Sequence, residues 1–283
     1  MSTKFNFKSP LRYPGGKSRV AKFLVDKFPK FHNYREPFFG GGSVYFALRS
    51  KDLNHGIDHT YWVNDLFIPI YLFWLTAQST DANRELVRRL RDFKEFTDRR
   101  NFEDNVNTLK RVRESIEELS QTGESASLRD GVDGAKLAFV LNRCTFSGAL
   151  LKGGFTRNAF EGRWTNSSIN RIVPMVLALM GVTITGVDCI QVIEQPGDDT
   201  FIFLDPPYTG AEGLYSIHDL DHVGLATSLR KTPHKFLMTY NDCQAIRDLY
   251  DWANIQEFRV QYGMDNAGGK PCKSGAELLI SNY

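Results

Sequence analysis

Cysteine is scarce and poorly placed for either of its structural uses. The 283 residues contain four, Cys144, Cys189, Cys243 and Cys272, with no Cys-x-x-Cys pair and no histidine at metal-ligand spacing. That excludes the usual zinc-site patterns and a disulfide framework. Neither charge sign dominates: 35 Lys and Arg against 33 Asp and Glu leave a net charge of +2. So mild a balance neither supports nor opposes a polyanionic partner, because a local patch can hide in the average. No apolar run is long enough to cross a bilayer, and residues 1–10 lack the apolar centre of a signal peptide. A soluble, cytosolic protein is expected, long enough for one large or two modest domains.

The stretch that organises the rest is Phe201-Ile202-Phe203-Leu204-Asp205-Pro206-Pro207-Tyr208. Four consecutive apolar residues predict a short strand buried on both faces, delivering an acid, two prolines and an aromatic ring at its C-terminal end. In open α/β sheets that end is where ligands bind. Asp205 and the Pro206 carbonyl offer two neighbouring acceptors, Pro207 helps stiffen the turn, and Tyr208 presents a flat face. Together they suit an exocyclic amine on an aromatic base. Such an amine is a poor nucleophile, so acceptors for its hydrogens favour a transition state in which nitrogen becomes tetrahedral. Turn rules alone also allow a plain strand ending in a Pro-Pro turn.

Nearer the N-terminus, Leu11-Arg12-Tyr13-Pro14-Gly15-Gly16-Lys17-Ser18 precedes a helical spacing of Val20, Phe23, Leu24 and Phe28. A Gly-Gly turn before a helix lets N–H groups and a lysine converge on an anion. It is not a nucleotide P-loop, which requires glycine where Leu11 stands. Tyr13 and Lys17 fit a ligand with an aromatic ring and a carboxylate, or simply a capped turn with a solvated lysine. The run Glu36-Pro37-Phe38-Phe39-Gly40-Gly41-Gly42-Ser43-Val44 predicts a strand, a glycine turn and a helix, the form of a cofactor loop. A dinucleotide fingerprint is absent, since its third glycine position falls on Tyr45. Tyr61 to Asn64 predicts a strand ending in Asp65, an acid placed for ribose hydroxyls or for capping a helix over Leu66 to Leu75.

Residues 81–118 are heavily charged, with Leu86, Val87, Leu90, Phe93 and Phe96 at helical spacing, which predicts a helix with a solvated face. After a polar break over 120–133, a helix over Ala135 to Leu141 leads into Asn142-Arg143-Cys144-Thr145-Phe146-Ser147-Gly148. Lys152, Arg157 and Trp164 follow among glycines. This interleaving predicts a mobile loop able to follow phosphates and wedge into a base stack. Strand character returns at Val182 to Thr185, before Asp188-Cys189, and again at 235–240, 257–262 and 277–283. Asp265 to Lys270 reads as a flexible basic loop.

These motifs, in this order, resemble the Dam-type adenine-N6 DNA methyltransferases, from Arg12 to Lys17, Glu36 to Val44, Asn64-Asp65, Asp188 and Asp205 to Tyr208. The resemblance implies a Rossmann-like α/β sheet binding S-adenosylmethionine, with an inserted mainly helical target-recognition domain at 67–181 between catalytic segments 1–66 and 182–283. It implies methylation of a flipped adenine in double-stranded DNA, with Asp205, Pro206, Pro207 and Tyr208 catalytic and no metal; the alternatives are a cytosine-N4 or RNA amino-methyltransferase, or a non-catalytic DNA-binding subunit of the same fold. Tyr13, Lys17, Phe39, Gly40, Gly41, Gly42, Asp65, Asp188, Cys189 and Asp205 would hold the cofactor. Cys189 stands where the family usually has Phe. Asn142, Arg143, Phe146 and Ser147 would meet DNA, Phe146 as the intercalating ring; beyond Leu150 the resemblance transfers no roles, and Lys152 and Arg157 are DNA-binding candidates from the loop's composition alone. A cognate restriction endonuclease would be the functional companion.

Overall fold

The structure, a computed structural model, describes residues 4–13, 15–123, 130–208, 220–261 and 274–283. The expected basic loop at 265–270 and Cys272 lie outside them. Seven strands form one sheet: β1 (Asn33–Glu36), β2 (Thr60–Asn64), β3 (Thr183–Thr185), β4 (Thr200–Leu204), β5 (Lys235–Asn241), β6 (Asn254–Gln261) and β7 (Ser274–Ser281). Their spatial order is β3-β2-β1-β4-β5-β7-β6. The first five strands run parallel, and β7 lies antiparallel between β5 and β6. This is the Rossmann-like sheet that the sequence implies. Chain direction across the sheet reverses between β1 and β4, so the crevice expected to hold ligands opens at their C-terminal ends.

β4 is central, and all five of its residues are buried. Side chains alternate across a strand, so Phe201 and Phe203 enter one core while Ile202 and Leu204 enter another. The second core lies beneath α10 (Cys189–Glu194), α11 (His222–Lys231) and α12 (Gln244–Leu249). The first is larger, reaching from α1 (Ala21–Val25) and α2 (Ser43–His55) into a helical segment inserted between β2 and β3. Burial of a large apolar side chain contributes roughly 1.5–3 kcal/mol, and the first core holds Trp74, Trp164, Phe139 and Phe73 besides the strand residues.

The insertion runs α3 (Ile68–Gln78), α4 (Thr80–Asp98), α5 (Phe102–Thr122), α6 (Gly131–Cys144), α7 (Arg157–Arg163), α8 (Asn166–Asn170) and α9 (Met175–Ala178). The predicted charged helix is two helices, broken at Arg99 to Asn101, where Asn101 caps α5 through a bond from Asp104 N–H. On α4 the spacing buries Leu86, Val87 and Leu90. Outward, Arg88 pairs with Glu85 and Asp92, each at 2.7 Å, the solvated face expected of such a run. α6 begins at Gly131, earlier than the apolar spacing suggests, because Asp130 caps it by accepting from Asp133 N–H. No helix among the described residues is long and apolar enough to cross a membrane.

Candidate active site

At the C-terminal ends of β1, β2 and β4 a continuous cleft runs from Asp188 and Ile190, past Phe38, to the glycine turn and Lys17. Tyr13, Gly40 and Asp205 line both of its halves. The glycine turn is needed for a reason the sequence does not reveal. Gly40 and Gly42 have φ of 48° and 64°, and a Cβ on Gly40 would meet the Tyr13 ring at 2.9 Å. The group that requires the missing side chains is therefore first of all Tyr13, laid across the turn. Asp65 fixes the same turn from β2: one oxygen accepts the Gly40 N–H at 2.7 Å, the other the Phe67 N–H at 3.0 Å. Burial lifts the Asp65 carboxyl to about 6 despite those two bonds.

Lys17 is 3 % exposed, an ammonium enclosed by acceptors. It donates to the Gly15 carbonyl at 3.1 Å and the Tyr208 hydroxyl at 2.7 Å, and lies 2.8 Å from Asp205 Oδ1. Thr239 on β5 donates to the same Oδ1 at 2.7 Å, and the Tyr208 hydroxyl reaches it at 3.2 Å. The Tyr208 ring stacks on Tyr240, with centroids 5.2 Å apart and planes 26° apart. The Tyr240 hydroxyl in turn donates to the Pro207 carbonyl at 3.2 Å and lies 2.7 Å from His222 Nδ1. Behind Lys17, the buried Glu277 of β7 places Oε1 3.7 Å from Nζ. Sequence reasoning missed Glu277 and Thr239, which sit in ordinary strand patterns with no motif around them.

A profile of the D12 class N6 adenine-specific DNA methyltransferases matches residues 13–264. The chain belongs to that family. It is also 26 % identical, over 298 aligned positions covering 96 % of this chain and 98 % of the relative, to the Type II methyltransferase M.MjaIII of Methanocaldococcus jannaschii. The fold and the adenine-specific DNA methyltransferase activity expected of the sequence are those of this family.

Within the methyltransferase, Tyr13, Lys17, Gly40, Gly41, Gly42, Asp65, Asp188, Cys189 and Asp205 are brought to one cleft. Asp188 caps α10 by accepting from Ile190 N–H at 2.8 Å. At Cys189, where the family usually has Phe, burial pushes the thiol up to about 12, so it serves as a small apolar surface. Phe39 borders the glycine-turn half of the same cleft, with its ring turned towards the core, 5.1 Å from Trp74; its neighbour Phe38 lines both halves.

The six residues expected at DNA separate into two groups. Phe146 is 59 % exposed, and Lys152 is exposed beside it. Arg157 is exposed as well, but its guanidinium pairs with Glu103 at 3.1 Å and Glu161 at 3.4 Å. Asn142, Arg143 and Ser147, the other three, are buried in this structure and do not face solvent. Asn142 Oδ1 accepts the Arg12 N–H at 2.8 Å, and its Nδ2 donates to the Arg12 carbonyl at 2.5 Å and the Gly148 carbonyl at 3.3 Å. Arg143 donates to the carbonyls of Arg163 at 2.9 Å and Pro10 at 3.3 Å. The loop is also held more firmly than its composition suggests. Thr145 bridges Phe155, Phe146 N–H donates to the Gly154 carbonyl at 2.9 Å, and Ser147 is held at φ 56°, a conformation costly for a residue with a Cβ.

Two consequences are measurable. Removing the Asn142 amide leaves part-buried Arg12 backbone groups without this partner, at roughly 1–3 kcal/mol each where water does not replace it. Asn142→Ala is expected to lower stability by about 2 kcal/mol or more in urea denaturation with an unchanged m-value. The second concerns Glu277, which faces Lys17, Asp205 and Tyr208. Burial lifts its carboxyl to about 7 against the opposing pull of Lys17, with Asp205 adding to the rise. In the unfolded chain a glutamate titrates near ~4.3, so between there and about 7 the native state binds more protons and stability falls as pH rises. Glu277→Gln cannot ionise. Its melting temperature relative to wild type should therefore climb from about pH 4 to about pH 7 and level off above; a gap that ignores pH would place the titration elsewhere.

Proposed function

We propose that this methyltransferase transfers a methyl group from S-adenosylmethionine to N6 of an adenine flipped out of duplex DNA. The observation that carries the proposal is the position of Asp205, the one acidic side chain lining both halves of the cleft, at the foot of the Tyr208 ring. S-adenosylmethionine supplies a methyl group on a cationic sulfonium. The cleft suits such a ligand: Asp65, Asp188, Asp205 and Asp221 line it, and Lys17 is the one cationic side chain that does so among the described residues. Phe38, Ile190 and Leu225 supply apolar walls, and Ser43 and Val44, at the start of α2, give the other end N–H groups that favour a carboxylate.

A base inside a duplex hides its amine edge, so it must be flipped, at a few kcal/mol. Stacking on Tyr208 returns roughly 1–3 kcal/mol of that. In this reading the Pro206 carbonyl, next to Asp205 in the chain, joins it in accepting from the amine, while the Pro207 carbonyl accepts from Tyr240. Asp205 orients the amine and stabilises the charge that develops on it; it need not deprotonate the amine before attack. In this reading 67–181 is the target-recognition domain, and 1–66 with 182–283 the catalytic part. Phe146 enters the space left by the extruded base, and Lys152 follows the phosphates. The name of the Methanocaldococcus relative supports a further part of the proposal, that a restriction endonuclease of the same specificity accompanies the enzyme in a cytoplasmic setting.

The test is incubation with unmethylated plasmid DNA and S-adenosylmethionine, followed by mass spectrometry of the nucleosides. N6-methyldeoxyadenosine is expected from wild type, falling by about 10³-fold or more in Asp205→Ala. Equal incorporation by the variant would remove Asp205 from the reaction, and methylated cytosine would change the base. Phe146→Ala should reduce the fluorescence rise of 2-aminopurine at the target position several-fold while leaving cofactor affinity unchanged; an undiminished rise would deny the wedge role.

A further inference from the structure

Glu277 is an anomaly in this site. It is 1 % exposed, and among the described residues neither carboxylate oxygen has a partner at full hydrogen-bond geometry, although Lys17 and Tyr208 are near enough to pull its titration down. Directly opposite it in the β5–β7 ladder stands Asn241, whose buried Oδ1 likewise has no partner among the described residues. Buried polar groups are normally satisfied, and an exception calls for a reason. The reason lies in what Lys17 must do when a base arrives. An ammonium has three protons, and three acceptors within hydrogen-bond distance surround this one: the Gly15 carbonyl, the Tyr208 hydroxyl and Asp205 Oδ1. The last two are the groups the target base has to engage. A donor that touches both the acceptor and the stacking ring stands where the amine has to stand. An amine that takes Asp205 Oδ1 displaces Lys17 from one or both contacts, and at 3 % exposure Lys17 cannot exchange them for water. The remaining acid in its reach is Glu277, with Oε1 at 3.7 Å, about an ångström beyond a charge-assisted bond.

We propose that Glu277 is the second seat of the Lys17 ammonium, a positioning residue that receives Nζ when the target amine takes Asp205. This rests on the amino-methyltransferase reading of the cleft. No bond to carbon forms or breaks in the step: an ammonium moves from one carboxylate to another, and the proton count is unchanged. The exchange explains why no closer partner occupies Glu277, since a group already bound to it would have to be removed before Lys17 arrived. It also keeps the positive charge beside Asp205 while that group holds the amine.

The experiment compares wild type, Glu277→Gln, Glu277→Leu, Lys17→Met and the Lys17→Met/Glu277→Leu double variant. Three quantities are read for each: methyl transfer to plasmid DNA, 2-aminopurine fluorescence at the target, and S-adenosylmethionine affinity without DNA. Glu277→Gln, which keeps a neutral acceptor, should lose about tenfold in kcat, and Glu277→Leu about 10²-fold, with cofactor affinity within about twofold of wild type. In the Lys17→Met background Glu277→Leu should have no further effect on either kcat or the fluorescence rise, because the group it serves is gone. Melting temperatures of both Glu277 variants should match or exceed that of wild type, separating the role from a structural one. Wild-type turnover and flipping in Glu277→Leu, or additive losses in the double variant, would overturn the second seat alone. A wild-type protein that neither methylates nucleic acid nor flips 2-aminopurine would overturn the reading of the cleft, and the proposal with it.

Discussion

A single ammonium enclosed by acids sets the conditions for the rest of the site. Lys17 and Glu277 are buried, and Asp205 is largely so. Charges removed from water are tolerated only when each is compensated nearby. Lys17 can be buried because Asp205 and Tyr208 receive it; Asp205 can be kept at the cleft because Lys17 and Thr239 hold it. The cluster thus fixes the geometry of Asp205 to Tyr208 before substrate is present, as preorganised catalysis requires. It also draws in four separate parts of the chain, residues 13–17, β4 with its Pro-Pro turn, β5 and β7, and so couples local order at the site to the integrity of the sheet.

The segment carrying Lys17 is tied equally firmly to the other side of the molecule. Residues 10–12 are held by Asn142 and Arg143 at the end of α6. Gly148 packs so closely that a Cβ there would collide with the Arg12 carbonyl. Phe146 lies within the same turn, and Tyr13 lies across the glycine loop. A displacement at Phe146 therefore acts on a segment with Tyr13 and Lys17 only a few residues further on. Packed elements of this kind pass movement as discrete shifts. Their physical contiguity makes the DNA-facing loop and the cofactor cleft one mechanical unit.

Much of this was legible in the residues. β4 could be found because an apolar run buried on both faces has a plain signature, and Asp205 and Tyr208 because a sheet end concentrates function there. The glycine turn, Asp65 and Asp188 followed from the same rule. What escaped detection depended on three-dimensional neighbours. Asn142 and Arg143 look like DNA contacts in a polar, glycine-rich stretch, and only the approach of residues 10–12 shows that backbone carbonyls take up their donors. Phe38 and Phe39 are adjacent and chemically identical and both border the cleft, and the turn decides which ring packs on Trp74. Glu277 has no motif at all, because its partner lies 260 positions away and its strand is antiparallel, inserted where sequence order gives no hint.

That insertion of β7 is itself informative. A parallel strand beside β5 would require a crossover connection, usually helical, whereas an antiparallel one needs only a return from β6. The antiparallel register sets Glu277 opposite Asn241, at the end of β5 where the cleft lies. The same ladder places Leu278 and Ile280 in the core beneath α11, so apolar residues on one face anchor the strand while the other face delivers one acid to Lys17. Anchoring of this kind is what allows a buried carboxylate 3.7 Å from its ammonium to persist: the strand is held chiefly by its ladder hydrogen bonds and its apolar face, so the position of Glu277, within reach of the one charge that has to move, can be set by function.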